Sequence, residues 1–217
     1  MLKRSIFAMM ILLMAVSGAS AQNMLVNPGF EDGATGGVPP TVGWSAFGNA
    51  YQEATSTVDY RFVPNSGNNL CSMYGNFWGS FNVTGVFQEF PAIEGQEFKI
   101  SSYTRHWGGD AMIGSQATGG NWVVQKIAFF NAGGTEIGAA EAIILDGSFA
   151  QDVWHYSGET HGIAPVGTAT VQALILYLQP LWDGGACNID DVSFELVEGA
   201  VATEEATWGA IKDLGDE

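Results

Sequence analysis

Two stretches, Asn27-Pro28-Gly29-Phe30-Glu31-Asp32-Gly33 and Gly184-Gly185-Ala186-Cys187-Asn188-Ile189-Asp190-Asp191-Val192-Ser193-Phe194, bracket everything in the 217-residue chain that reads as foldable. Each sets a carboxylate beside strand-like apolar residues. At the end of the second, Val192, Phe194 and Leu196 alternate with Ser193 and Glu195, the period-two pattern of a strand with one buried face. Working inward, strand-like runs recur at short intervals with turn residues between them. Residues 70–74, 86–90 and 98–103 are three, and in the last Phe98 and Ile100 oppose Lys99 and Ser101. Residues 122–130 end at Asn131-Ala132-Gly133-Gly134, residues 139–145 and 154–160 follow, and 170–178 is apolar on both faces, as a central strand should be. Shorter apolar runs stand at 24–26, 44–47 and 60–63. No internal repeat is visible, and no helical periodicity precedes residue 200. With 29 glycines, 12% aromatic and only 14% charged residues, the composition suits short strands joined by tight turns. The chain reads as all-β, two antiparallel sheets packed as a sandwich.

The first 21 residues read as a secretory signal. Lys3 and Arg4 supply the positive start, residues 6–16 the apolar stretch, and Ala19-Ser20-Ala21 a small-x-small cleavage site. The apolar stretch is too short to anchor in a bilayer, and no later one approaches the length of a membrane span. No cysteine follows the cleavage site, which argues against a lipid anchor. The expected location is outside a bacterial cytoplasm: secreted, periplasmic or at the cell surface. The domain expected to fold is 22–198, long enough for one core.

The formal net charge is -16, and loss of the signal removes two of seven basic residues and none of the 23 acids. Such a chain lacks the clustered Lys and Arg that phosphate binding needs, which excludes nucleic acid and anionic membrane surfaces as partners. The plainest role of the charge is solubility.

The two bracketing motifs resemble the first and last strands of carbohydrate-binding modules of the family 4, 9 and 22 type, galactose-binding-like jelly-roll β-sandwiches. The resemblance extends over residues 25–196 through Phe87-Gln88 with Phe90-Pro91, Glu94-Gly95-Gln96-Glu97-Phe98, Asp152-Val153-Trp154 and Ile163-Ala164-Pro165-Val166-Gly167-Thr168-Ala169. Each segment is weak alone; their order and spacing carry the likeness. Read mechanically, Glu94-Gly95 and Pro165-Val166-Gly167 are turns before strands, and Phe30, Trp44 and Trp154 are large core fillers.

The resemblance implies a structural calcium ion where the chain ends meet. Carried over by motif, its ligands are the Glu31 carboxylate, the Gly29 carbonyl, carbonyls between Ser66 and Asn69, and Asp190. Mixed carboxylates and carbonyls suit the six to eight hard oxygens that Ca²⁺ takes. The plainer alternative makes Glu31 and Asp190 ordinary surface acids. Asp191 is expected to point away from Asp190, because strand side chains alternate. If both segments meet at one metal, Cys71 and Cys187 come close, and a Cys71–Cys187 disulfide suits an oxidising compartment; two buried free thiols are the alternative. Zinc is not expected, for want of ligand spacing.

Sugar recognition by such modules relies on aromatic rings stacking on pyranose faces, with polar side chains on the hydroxyls. The candidates are Tyr74 and Trp78 in the Gly/Asn/Ser-rich stretch 74–81, Trp107 and Trp122 at the two ends of a long loop, and Gln125, Tyr177, Gln179 and Trp182. The competing reading has these rings roofing the core. Residues 105–121 look longer than in the family, so no family binding residue transfers there. The expected function is a non-catalytic module binding a polysaccharide or glycan. A structural or adhesive surface protein with the same fold is the alternative, and a jelly-roll glycosidase, needing two facing carboxylates, the third. His106, His155 and His161 accompany no recognisable nucleophile, and no hydrolase motif is present. Beyond a small-residue linker from residue 199, Trp208, Ile211 and Leu214 recur at near-helical spacing in a tail read as a sorting or surface-attachment segment, or as a plain acidic extension.

Overall fold

The computed structural model describes residues 22–56, 60–76, 80–181 and 184–197, so the segment read as a signal, the tail, Trp78 and Trp182 lie outside the described residues. Among the described residues eleven strands follow in chain order: β1 (Ser45–Phe47), β2 (Asn49–Ala54), β3 (Asn69–Tyr74), β4 (Asn82–Pro91), β5 (Glu97–Arg105), β6 (Trp122–Asn131), β7 (Glu136–Asp146), β8 (His155–Tyr156), β9 (Thr160–Ile163), β10 (Thr168–Gln179) and β11 (Ala186–Leu196). Two single 3₁₀ turns, at Gly108–Asp110 and Gln116–Thr118, are the helical elements among the described residues. None is long or apolar enough to cross a membrane.

The strands form two sheets, ordered β1-β4-β10-β6-β7 and β2-β3-β11-β5-β8, with β9 also paired to β5. All pairings are antiparallel. The long strands sit where the sequence pattern placed them. β2, with the polar sequence Asn-Ala-Tyr-Gln-Glu-Ala, carries no apolar run and escaped that pattern. Residues 24–26 and 60–63 form no strand, and 154–160 yields the short β8 and the start of β9.

The sheets meet over an aromatic stack. Phe194 lies flat on Phe98 (ring centroids 5.4 Å apart, 5° between planes) and stacks on Phe90 at 5.6 Å, with Phe129 tilted against Phe98. Phe30 and Trp44 stack at 5.0 Å and are buried, as core fillers should be. Trp154 does not share that role: it is half-buried, and its indole donates to the Val63 carbonyl, fastening residues 60–63. In β10, Val171, Ala173, Ile175 and Tyr177 face the core while Leu174, Leu176 and Leu178 face outward.

β11 carries a bulge. Its register against β5 shifts between Asp190 and Ser193, and Asp191 adopts φ 45°. Bulges re-aim side chains next to sites, and this one overturns the expected alternation of the two aspartates.

Candidate functional site

Where the chain ends meet, three acids gather on one turn. Asp190, with no exposed surface, accepts the backbone N–H groups of Asn65 (2.8 Å) and Ser66 (3.1 Å) at Oδ2 and that of Asp191 at Oδ1. Asp191, turned to the same side by the bulge, accepts Asn65 Nδ2 and Ser66 Oγ, both at 2.7 Å. Glu31 Oε1 accepts from Asn68 N and Asn69 N at 2.9 and 3.0 Å. One glycine makes room: a Cβ on Gly67, at φ +61°, would overlap the Glu31 carboxylate, whereas one on Gly29 would stand at ordinary contact distance, 3.5 to 3.8 Å, from Asp191, Asp190 and Glu31.

Among the described residues no lysine or arginine pairs with this group; the ion pairs lie elsewhere. Burial pushes the Asp190 carboxyl up to about 7, opposed by the Ser66 N–H and reinforced by the Asp191 charge. A carboxylate so placed is costly to ionise alone and becomes favourable beside a cation. Among the described residues no three His, Cys, Asp or Glu side chains form a metal cage by themselves. A cation held here would have to draw on backbone oxygens as well, a mixture that Ca²⁺ accepts.

The expected disulfide is not formed. Both Cys71 and Cys187 are buried and free. β3 and β11 do pair antiparallel, but Cys71 lies opposite Ile189 and Cys187 opposite Met73. The two sulfurs are thus diagonal neighbours, and burial raises the pKa of both thiols.

A cleft of about 310 Å³ opens on the outward face of the β2-β3-β11-β5 sheet, toward one end. Alternation dictates its floor: Cys71, Met73, Cys187 and Ile189 face the core, leaving Ser72, Tyr74, Ala186 and Asn188 outward. Tyr74 stacks on Tyr51 of β2 at 5.6 Å. Burial, joined by the hydrogen bond of the Tyr74 hydroxyl to Tyr51, raises the Tyr74 pKa to about 12, so it stays protonated.

One wall is the segment 60–63, laid across the sheet. Arg105 donates to the carbonyls of Arg61 (3.1 Å) and Tyr60 (3.2 Å), and Asn188 to that of Arg61. The facing wall carries Trp107 and Asp110. Its base is His106, fully buried, which donates from Nε2 to the Phe149 carbonyl (3.0 Å) and accepts Met112 N–H at Nδ1 (3.2 Å). That pairing requires the neutral ring, and burial lowers the His106 pKa accordingly. The back wall is Gly184 and Gly185, held by Tyr177, whose hydroxyl donates to the Gly185 carbonyl at 2.7 Å. The Ser72 hydroxyl, the Asp110 carboxylate and the Trp107 indole N–H have no partner among the described residues, and all three line the cleft.

The sequence candidates therefore divide. Tyr74, Trp107 and Gln179 line the cleft. Gln125 does not: it is buried between the sheets, accepting from Ser157 Oγ (2.8 Å) and donating to Thr160 Oγ1 (2.7 Å) and the Gly158 carbonyl (3.1 Å). Tyr177 is likewise a core residue. Trp122 sits on the outward face of the other sheet. Trp78 and Trp182 fall outside the described residues. Asn188, Ser72 and Asp110 were missed. The signal for the first two was the parity of their strands, available once the core face of β3 and β11 is known.

No protein-family profile matches the sequence, and no curated protein is similar to it. Solved structures are. TmCBM61, solved in complex with β-1,4-galactotriose, aligns at TM-score 0.50 and 16% identity over 82% of this chain and all (100%) of its own. The two-sheet antiparallel sandwich is a fold this chain shares with that carbohydrate-binding module. An arabinose-bound α-L-arabinofuranosidase, MgGH51, aligns at TM-score 0.55 and 14% identity over 81% of this chain, which spans only 27% of that enzyme. The CBM22-1 xylan-binding domain of Xyn10C from Paenibacillus barcinonensis aligns at TM-score 0.49 and 16% identity, over 83% of this chain and 98% of its own. At these identities the likeness is one of fold.

Proposed function

We propose that this chain is a secreted, non-catalytic carbohydrate-binding module whose glycan lies in the cleft between residues 60–63 and Trp107. One observation carries the reading: the cleft combines aromatic rings, Tyr74 and Trp107, with the unpartnered Ser72 hydroxyl, Asp110 carboxylate and Trp107 N–H. Rings offer a pyranose an apolar surface, and the polar groups complement its hydroxyls. TmCBM61, which shares the fold and was solved with galactotriose, supports the same class of ligand. Asp110 is the only carboxylate among the described cleft residues, whereas glycoside hydrolysis uses a pair, which supports a binding role.

A structural calcium ion belongs to the same proposal. Glu31 and Asp190 would hold it with the carbonyls of Gly29, Ser66 and Asn69, and its charge would offset that of the three gathered acids. The chain's own part is to bring both ends of the fold and the 65–69 turn to one point.

The test is affinity electrophoresis of the protein through gels containing xylan, galactan or mixed-linkage glucan. Retardation by at least one polysaccharide is expected, and Trp107→Ala and Tyr74→Ala should each weaken it tenfold or more. Unaltered mobility in every gel, or retardation indifferent to both substitutions, overturns the assignment of the cleft.

A further inference from the structure

An antiparallel sheet with one face on the core normally turns polar side chains to water on the other. Part of the β1-β4-β10-β6-β7 sheet departs from this, although Lys126, Glu136, Glu89 and Gln172 keep the rest of its outer face polar. Leu176 lies across from Val124, Leu178 across from Trp122, and Val124 in turn across from Ile143. These side chains floor a hollow of about 240 Å³ on the side of the sandwich away from the cleft, rimmed by Gln116 and Glu141.

The rim is unsatisfied. Glu141 lies opposite Lys126 in the register of β6 and β7, yet Lys126 bonds Glu136 at 2.8 Å. Glu141 is left without a partner among the described residues, as are the Gln116 amide and the Trp122 indole N–H. Trp122 is half-buried and presents its ring beside the aliphatic floor.

We infer that this hollow is a second carbohydrate subsite, separate from the cleft, in which a single pyranose ring stacks on Trp122 and is hydrogen-bonded by Glu141 and Gln116. The chemistry selects the occupant. A sugar ring has one face rich in C–H and an edge of hydroxyls that both donate and accept. The hollow supplies an indole and leucines for the face, a carboxylate to accept, an amide to do both, and an N–H to donate. A flat apolar protein partner would bury Glu141 and the indole N–H unpaired, each at the full cost of its lost hydration. Two subsites on opposite faces let one molecule bridge two chains of a polymer or gain by avidity on one matrix.

The inference shares the ligand class of the cleft but stands on different residues, so the two fail separately. The full chain, ¹⁵N-labelled at tryptophan, is titrated with xylohexaose and with β-1,4-galactotriose, the Trp122 indole resonance being assigned through Trp122→Phe. At least one probe should move that resonance saturably, in the wild type and equally in Trp107→Ala, where the cleft is disabled. Glu141→Gln, an exposed change that leaves the fold intact, should weaken the Trp122 response tenfold and leave the Trp107 response unchanged. A Trp122 resonance that neither probe moves overturns the subsite, whatever the cleft does. So does a response that vanishes with Trp107→Ala, since Trp122 would then only report the cleft. A Trp122 signal altered instead by protein concentration would make this face a contact between copies and equally overturn it.

Discussion

Cys71 and Cys187 enter the same core from neighbouring strands, two residues out of register: Cys71 faces Ile189, and Cys187 faces Met73. Diagonal neighbours in an antiparallel pair stand about 7–8 Å apart, beyond the roughly 4.4–6.8 Å between α carbons that a disulfide tolerates. Denatured protein purified without reductant should therefore titrate two thiols per chain with Ellman's reagent, and native protein none, because both sulfurs are buried. Melting should be the same with and without dithiothreitol. A thiol count of zero after denaturation would show that the strands shift register to close the bond.

If the proposed calcium ion offsets the charges of Glu31, Asp190 and Asp191 on this turn, stability should depend on it. Excess EGTA should lower the melting temperature by several degrees relative to millimolar calcium. Asp190→Asn should melt at the same temperature in both conditions. Gly67→Ala should be destabilised by about 1–2 kcal/mol from its left-handed backbone alone, and by more from the overlap with Glu31. Melting indifferent to EGTA in the wild type would remove calcium from the proposal and leave the three acids held by the turn's N–H groups alone.

The sequence made the sandwich legible because period-two alternation, turn chemistry and the two bracketing motifs agreed, and the structure brings Glu31 and Asp190 to the N–H groups of the 65–69 turn. Three things were out of its reach. Asp191 joins Asp190 only through a bulge, and a bulge leaves no mark in a pattern that assumes strict alternation. The cysteine offset is a matter of register, which sequence separation does not encode. Trp122 and Gln125 went to the wrong place because β6 and β10 are apolar on both faces. In Trp-Val-Val-Gln nothing says which parity meets the core, and here Val123 and Gln125 do, which sends Trp122 outward and buries the amide.

That burial separates stability from binding at Gln125. Its amide is engaged on both atoms by Ser157, Thr160 and the Gly158 carbonyl. Gln125→Leu keeps much of the volume and leaves those partners unsatisfied, so it should cost about 1–3 kcal/mol. Chemical denaturation will read that loss, while retardation in polysaccharide gels should stay at the wild-type level for the folded fraction. Lost binding at full stability would return Gln125 to the ligand.

His106 gives the cleft a pH dependence. The folded protein holds its ring neutral, Nε2–H toward Phe149 and Nδ1 accepting from Met112, with its pKa lowered by burial. The unfolded chain protonates near the ordinary histidine value of about 6.5. As pH falls below that value the unfolded state binds the proton first, so the stability His106 contributes is complete above about 6.5 and is lost on the way down to its folded pKa. Once protonated, Nδ1 turns an N–H against the Met112 N–H, and the wall bearing Trp107 and Asp110 loses its anchor. His161 runs the other way: its hydrogen bond to Glu97, and then Glu159, raise its pKa, so its contribution is complete below about 6.5 and fades as pH rises through the folded value. It lies on β9, exposed and apart from the cleft. Comparing the melting of wild type and His106→Gln between pH 7.5 and 5.5 isolates the buried histidine, because His161 and the carboxylates are common to both. The wild type should lose more on acidification than the variant, and its glycan retardation should weaken in step. Parallel curves for the two proteins would mean that His106 takes its proton without moving the loop, and that the Trp107 wall is held by other contacts.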